Sequence, residues 1–141
     1  MIYCDTSVLL KLYIREKDSN AWIDQIQKHN LPLTVSFLHQ IEIVNALTLL
    51  EYRSKGEIRS KPLIARFEED LAEGIYQQLE VDLISTIQKC QKISQKITAV
   101  TGLRTLDLMH LALAFSVPKV LFLTADDLQQ RAANQLGMKT E

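Results

Sequence analysis

The chain has 141 residues, a length that favours a single domain (residues 1–141) with one hydrophobic core. Hydrophobic residues make up 47% of it and charged residues 23%, which is ordinary for a soluble globular protein and excludes a disordered composition. No stretch approaches the roughly 18 apolar residues of a membrane span, and the start lacks a secretory signal. We therefore expect a cytoplasmic protein that contacts no membrane, and the net charge of −1 gives nucleic-acid binding no support by itself.

Short apolar runs alternate with segments of helical periodicity along the chain. Strands are predicted at residues 2–5, 33–36, 79–82 and 119–124, with a short edge strand at 138–140. Helices are predicted after Asp5 and over residues 18–28, 37–53, 85–102, 105–114 and 126–137, with another that opens at Ser60. Strands that alternate with helices predict a parallel α/β sheet with helices on both faces.

Four acidic residues carry the candidate chemistry. Asp5 and Asp126 follow the first and the clearest predicted strands, and ligands of open parallel sheets bind outside the carboxyl ends of strands. Glu42 interrupts an apolar helix face, and Asp107 lies among apolar residues in the first turn of a helix. Carboxylates in such surroundings need a partner or a cation, and their oxygens suit Mg²⁺ or Mn²⁺. This pattern predicts a metal site that hydrolyses a phosphodiester with metal-activated water.

Each of the four acids also has an alternative explanation, which the sequence leaves open. Asp5 and Asp126 fit helix N-caps, and Asp107 fits an acid that stabilises a helix dipole. Glu42 fits an ion pair with a lysine. Caps and one ion pair do not explain why the acids gather at strand ends, so we favour the common metal site.

Two histidines lie one helical turn from two of the acids. His39 precedes Glu42 by three residues, and His110 follows Asp107 by three. A carboxylate-bridged di-iron site is an alternative, but it requires Glu-x-x-His on two helices, and here one order is reversed. We expect His110 to pack near the site and donate to a carboxylate, and His39 to lie at the surface or behind the ligands.

Basic residues form two groups near the acidic positions. The segment 86–106 contains four of them and no acid, and two more lie one helical turn apart after Asp5. For such charge runs taken alone we favour solvent-exposed helix faces, but a polyanion at an acidic site needs a basic surround. The candidate contacts with nucleic-acid phosphate are Lys11, Arg15, Lys89, Lys92, Lys96 and Arg104.

Four motifs in series resemble those of PIN-domain proteins, and most of all the VapC-type toxins of bacterial toxin–antitoxin pairs. They are residues 2–13 (IYCDTSVLLKLY), Ser36 with Glu42 and the following Asn-Ala-Leu, residues 103–112 (LRTLDLMHLA) and residues 123–126 (LTAD). The motifs occur in the family's order and at its normal spacing, and they cover the whole chain.

The resemblance implies a PIN-like three-layer fold, in which helices flank a central, mostly parallel sheet of four to five strands. It implies a Mg²⁺- or Mn²⁺-dependent endoribonuclease, a cognate antitoxin that blocks the site, and a homodimer. The implied metal-site and catalytic acids are Asp5, Glu42, Asp107 and Asp126, and the implied supporting hydroxyls are those of Thr6, Ser7 and Thr124. The Thr-x-Asp pattern selects Asp126 as the ligand, with Asp127 as its solvent-facing neighbour.

Other functions fit the sequence less well or stay open. A haloacid-dehalogenase-like phosphatase requires Asp-x-Asp after the first strand, where this chain has Ser7, and no phosphate-binding Gly-x-x-x-x-Gly-Lys loop is present. A PIN-like module that binds RNA or a protein without cutting would be favoured by a missing acid, and none is missing. A DNA nuclease with the same acids stays open, because the choice of RNA depends on the resemblance alone.

Overall fold

Strands and helices alternate along the chain, as predicted, in a computed structural model that describes residues 1–141. The strands are β1 (Ile2–Cys4), β2 (Leu33–Val35), β3 (Gln77–Gln78), β4 (Leu121–Leu123) and β5 (Lys139–Thr140). The helices are α1 (Thr6–Leu10), α2 (Ser19–Lys28), α3 (Phe37–Arg53), α4 (Ser60–Ala72), α5 (Leu83–Thr101), α6 (Thr105–Ala114) and α7 (Asp127–Gln135). None of these helices combines the length and the hydropathy needed to cross a lipid bilayer.

The five strands form one sheet in the order β3-β2-β1-β4-β5, and every neighbouring pair is parallel. From the central strand β1 the chain builds outward to β2 and β3, and then returns through α5 and α6 to β4 on the other side. The strand order therefore reverses between β1 and β4. At such a point the two following loops separate and leave a crevice at the carboxyl ends of the strands.

Side chains alternate across the sheet and give it two apolar faces. Tyr3 and Phe122 lie in a core formed with α5, α6 and α7. Their neighbours Ile2 and Leu121 lie in a second core, formed with α1, α3 and α4. Helices on both faces of a five-stranded parallel sheet confirm the predicted three-layer α/β fold.

The third strand lies earlier in the chain than predicted. The apolar pattern of residues 79–82 indicated a strand, but the paired residues are Gln77 and Gln78, both exposed at the edge of the sheet. Leu79 and Val81 pack against the core from the connection to α5. Asp82 then caps α5 by accepting a hydrogen bond from the Ser85 backbone N–H, so this helix begins two residues before the predicted start.

Candidate active site

Asp5 lies directly after β1, at the point where the strand order reverses, and its side chain is 7% exposed. Its Oδ1 accepts hydrogen bonds from the Val8 backbone N–H (3.0 Å) and from Ser7 Oγ (2.8 Å). Its Oδ2 accepts one from Thr124 Oγ1 (2.7 Å) at the end of β4. Burial raises the pKa of the Asp5 carboxyl, and these hydrogen bonds offset only part of the increase. A bound cation would relieve the cost of ionising this buried acid.

Thr124 joins Asp5 to the start of α7 and to α6. Besides its bond to Asp5, Thr124 Oγ1 is 2.8 Å from Gln129 Oε1 and accepts from the Asp126 backbone N–H (3.0 Å). Gln129 is 1% exposed, and its Nε2 donates to the Asp107 carbonyl (3.2 Å). Sequence reasoning missed Gln129. The one sequence signal for Gln129 is its capping-box spacing, three residues after Asp126. That spacing predicts a contact within the first turn of α7 and does not predict the contacts of Gln129 with Thr124 and with the Asp107 carbonyl.

Glu42, on α3, is half-buried and is held through one of its two carboxylate oxygens. Thr6 Oγ1 (2.5 Å) and His110 Nε2 (2.7 Å) both donate to Glu42 Oε2. Burial raises the pKa of the Glu42 carboxyl, but the hydrogen bonds from His110 and Thr6 outweigh it, and the net shift is downward. The expected donation from His110 to a carboxylate is confirmed, whereas the alternative of a lysine partner for Glu42 is wrong.

His39 is fully buried. It therefore does not lie at the surface, which was one of the two expectations, and it lies behind the proposed ligands, which was the other. Its Nε2 donates to the Cys4 carbonyl (2.7 Å), and its Nδ1 accepts from the Ser36 backbone N–H (3.0 Å). Burial lowers the pKa of His39 to about 3, so the ring is neutral at physiological pH. His39 thereby fixes the start of α3 against the end of β1.

Asp107 and Glu42 open into the same cavity, which has a volume of about 720 Å³. Asp107 lies in the first turn of α6, and its Oδ2 accepts a hydrogen bond from the Arg104 backbone N–H (3.2 Å). The other polar side chains that line the cavity belong to Ser94, Thr98, Arg104 and Thr105. Two of the four predicted acids thus line one cavity, whereas Asp5 and Asp126 do not line it.

Asp126 is exposed and caps α7, because its Oδ1 accepts from the backbone N–H groups of Leu128 (2.7 Å) and Gln129 (3.0 Å). Asp5 likewise caps α1, so both acids act as helix caps, and their role as metal ligands stays a prediction. Asp127 is exposed, as expected, and lines a different hollow, together with Trp22 and Glu141.

No three His, Cys, Asp or Glu side chains lie close enough together to enclose a metal ion. The donors nevertheless fit Mg²⁺ or Mn²⁺, because a hydrated Mg²⁺ usually takes only one or two carboxylates and keeps several waters. Glu42 Oε1 accepts no hydrogen bond from the protein. The donors therefore fit a hydrated hard cation and do not form a closed structural site.

Lys11 does not have the position expected of a phosphate contact. It is 8% exposed, and its Nζ donates to Glu16 (2.7 Å) and Asp18 (2.8 Å). Both acids follow within seven residues, where the chain turns into α2. With its charge paired inside the protein, Lys11 is removed from the set of RNA contacts, whereas Arg15 is exposed.

The lysine row of α5 lies away from the acidic cavity. Lys89, Lys92 and Lys96 line a separate hollow of about 450 Å³ with Ile93, Phe115 and Leu136. Ser94 and Thr98, which line the acidic cavity, lie roughly opposite this row at 3.6 residues per turn. Of the six basic residues predicted to contact phosphate, Arg104 alone lines the acidic cavity.

Comparisons with known proteins agree with this architecture. The family model of the PIN domain matches residues 2–135. A structure of VapBC-1 from nontypeable Haemophilus influenzae aligns with a TM-score of 0.65 and 17% identity, over 100% of this chain and 97% of that one. FitAcB from Neisseria gonorrhoeae aligns with a TM-score of 0.55 and 18% identity, over 99% and 96%. These two likenesses show the fold, and no curated protein matches the sequence. Because the family match spans nearly the whole sequence, the chain belongs to the PIN-domain family.

Proposed function

We propose that this protein is a metal-dependent endoribonuclease and the toxin of a toxin–antitoxin pair. The observation that carries the proposal is the crevice between β1 and β4. There the buried Asp5 is hydrogen-bonded to Thr124, and Glu42 and Asp107 open into the adjacent cavity. Membership of the PIN family supports a nuclease at this site, and so does the absence of any substitution among the four family acids.

The ion would be Mg²⁺ or Mn²⁺, bound directly by one or two of the carboxylates of Asp5, Glu42, Asp107 and Asp126 and through its waters by the others. When bound, such an ion activates water at neutral pH and stabilises the departing oxygen of the phosphodiester. The hydroxyls of Thr6, Ser7 and Thr124 orient the carboxylates of Asp5 and Glu42, as groups behind metal ligands commonly do.

The substrate would be single-stranded RNA that enters the cavity beside Glu42. Arg104 offers a guanidinium for a phosphate group, and Ser94, Thr98 and Thr105 offer hydroxyls that can bond to ribose or to base edges. The lysine row on the other flank of α5 gives less support, since it does not border this cavity. A DNA substrate is the alternative, because the phosphate chemistry is common to both polymers.

A protein partner would keep such a nuclease inactive. Two structurally similar proteins carry the two-component names VapBC-1 and FitAcB, which supports a cognate antitoxin for this chain. The outer side of α3 exposes Ile41, Val44 and Tyr52, and apolar surface of this kind is typical of protein interfaces. We further propose a homodimer, a single domain over residues 1–141 and residence in the cytoplasm.

The test is cleavage of a mixed RNA pool and a matched single-stranded DNA pool by purified protein free of any partner. Reactions contain Mg²⁺ or Mn²⁺, with EDTA as the metal-free control. Asp5→Asn removes a predicted ligand, and Asp127→Asn removes an exposed acid outside the acidic cavity. We expect wild type and Asp127→Asn to cut RNA in a metal-dependent manner and Asp5→Asn to be inactive. Cleavage of DNA alone would indicate a DNA nuclease, and folded protein that cuts neither pool would indicate a binding module.

A further inference from the structure

Glu42 is held at one oxygen and free at the other. Two donors, Thr6 Oγ1 and His110 Nε2, converge on Oε2, while Oε1 accepts no hydrogen bond from the protein. Because Glu42 lines the cavity of about 720 Å³, this arrangement leaves one carboxylate oxygen for a ligand in that space. Because His110 provides one of the two hydrogen bonds to Oε2, the contacts behind His110 control how firmly Glu42 is oriented.

Tyr3 lies behind His110 and is fully buried. Its hydroxyl is 2.9 Å from His110 Nδ1, on the side of the ring opposite Glu42. The Tyr3 ring is itself fixed, because it stacks on Phe122 and packs at a tilt against His39. The contact joins residues 107 positions apart in the chain, from the central strand to α6.

The hydrogen bonds determine which nitrogen of His110 carries the proton. An ionised carboxylate only accepts, so Nε2 must donate to Glu42. In the neutral ring Nδ1 is then an acceptor, and the Tyr3 hydroxyl is the group placed to donate to it. Ser36 Oγ lies 3.3 Å from the Tyr3 oxygen and 3.0 Å from His39 Nδ1. The Ser36 hydroxyl can therefore donate to His39 Nδ1, and it does not need the Tyr3 oxygen as an acceptor. The network thus satisfies its buried polar atoms with His110 in the Nε2–H tautomer.

We propose that Tyr3 and His110 are positioning residues for Glu42. Tyr3 holds His110 in the Nε2–H tautomer, and His110 together with Thr6 fixes Glu42 Oε2 so that Oε1 remains available to a cation in the cavity. The inference rests on the proposed function in so far as Glu42 is a metal ligand, whereas the tautomer and its dependence on Tyr3 do not.

Tyr3→Phe tests the proposal because it removes the hydroxyl and keeps the ring that packs in the core. Tyr76→Phe is the matched control, since Tyr76 is also buried and hydrogen-bonded through its hydroxyl, but to Tyr13 in the other core. The first readout is the ¹⁵N NMR spectrum of the imidazole nitrogens in metal-free protein. The second is Mn²⁺ affinity measured by calorimetry without RNA.

We expect wild type and Tyr76→Phe to show His110 protonated at Nε2 alone, and Tyr3→Phe to show a mixture of tautomers. We expect Tyr3→Phe to weaken Mn²⁺ binding about tenfold, at the low end of the range for groups behind metal ligands, and Tyr76→Phe to leave it unchanged. Should Tyr3→Phe not fold, His110→Gln and His110→Leu replace it. Gln retains a donor to Glu42 and should preserve most of the affinity, whereas Leu should lose it.

Equal tautomer populations and equal Mn²⁺ affinity in Tyr3→Phe and wild type would overturn the positioning role and leave the proposed function intact. Equal affinity of His110→Gln and His110→Leu would do the same. Wild-type protein that binds no Mn²⁺ would overturn the proposed function and the role of Glu42 as a ligand, while the tautomer readout would still test the dependence of His110 on Tyr3, so the two failures are distinguishable.

Discussion

Replacing Glu42 by glutamine should separate the fold from the proposed chemistry. Glutamine keeps the shape and can place its amide oxygen where Oε2 accepts from Thr6 and His110. Its amide NH₂ then faces the position proposed for the cation. The fold should persist, and Mn²⁺ binding and RNA cleavage should be lost.

The cost in stability follows from the two hydrogen bonds. Hydrogen bonds to a charged acceptor contribute about 1 kcal/mol more each than neutral ones. Since Glu42 is only half-buried, we expect Glu42→Gln to lower the free energy of unfolding by about 1–2 kcal/mol at pH 7. Because the folded-state pKa of Glu42 is below its ordinary value, this contribution is fully present above the unfolded pKa of about 4.3 and lost as the pH falls through the folded pKa.

Urea unfolding of metal-free protein at a series of pH values measures this difference. Glu57→Gln is the control, because Glu57 is an exposed glutamate whose side chain has no hydrogen-bond partner. The deficit of Glu42→Gln should be largest near neutral pH and should narrow below about pH 4.3. A variant as stable as wild type at pH 7, or a deficit that stays constant as the pH falls, would show that the ionised Glu42 does not stabilise the fold through these two hydrogen bonds.

Three further predictions concern other positions. Asp5→Asn should raise the stability of metal-free protein at neutral pH, because burial raises the folded-state pKa of Asp5 and disfavours its ionised form. The gain should shrink as the pH falls toward about 3.9, and no gain at pH 7 would contradict it. Thr34→Val should add about 1 kcal/mol in urea unfolding, because Thr34 Oγ1 is buried without a hydrogen-bond partner; a loss of stability would count against it. Arg104→Ala should weaken RNA binding in a filter-binding assay and reduce the salt dependence of that binding, whereas Lys92→Ala should change neither. Equal effects of the two substitutions would indicate that the RNA contacts the lysine row.

The sequence predicted most of the fold because most elements have a local signature. The bounds of α3 follow from its apolar periodicity, and β4 follows from the buried run Leu121–Leu123. The strand β3 has no such signature, since its residues are two exposed glutamines whose strand character comes only from pairing with β2. Local patterns cannot indicate an edge strand that is fixed by its neighbour.

The candidate site was predictable where it depends on topology, and not where it depends on packing. Asp5 follows β1, so the rule that ligands bind at strand ends was sufficient to single it out. The contact between Tyr3 and His110 spans 107 positions and requires the assembled sheet and α6. Lys11 was misjudged for the same reason, because its burial depends on how Glu16 and Asp18 fold back over it.

The most direct test of an active site built on Asp5 is metal-dependent cleavage of one RNA pool by wild type and Asp5→Asn, measured side by side. We predict that wild type cuts RNA with Mg²⁺ or Mn²⁺, that EDTA stops it, and that folded Asp5→Asn is inactive. Cleavage by Asp5→Asn at the wild-type rate, or cleavage that persists in EDTA, would contradict an active site built on the acid at the end of β1.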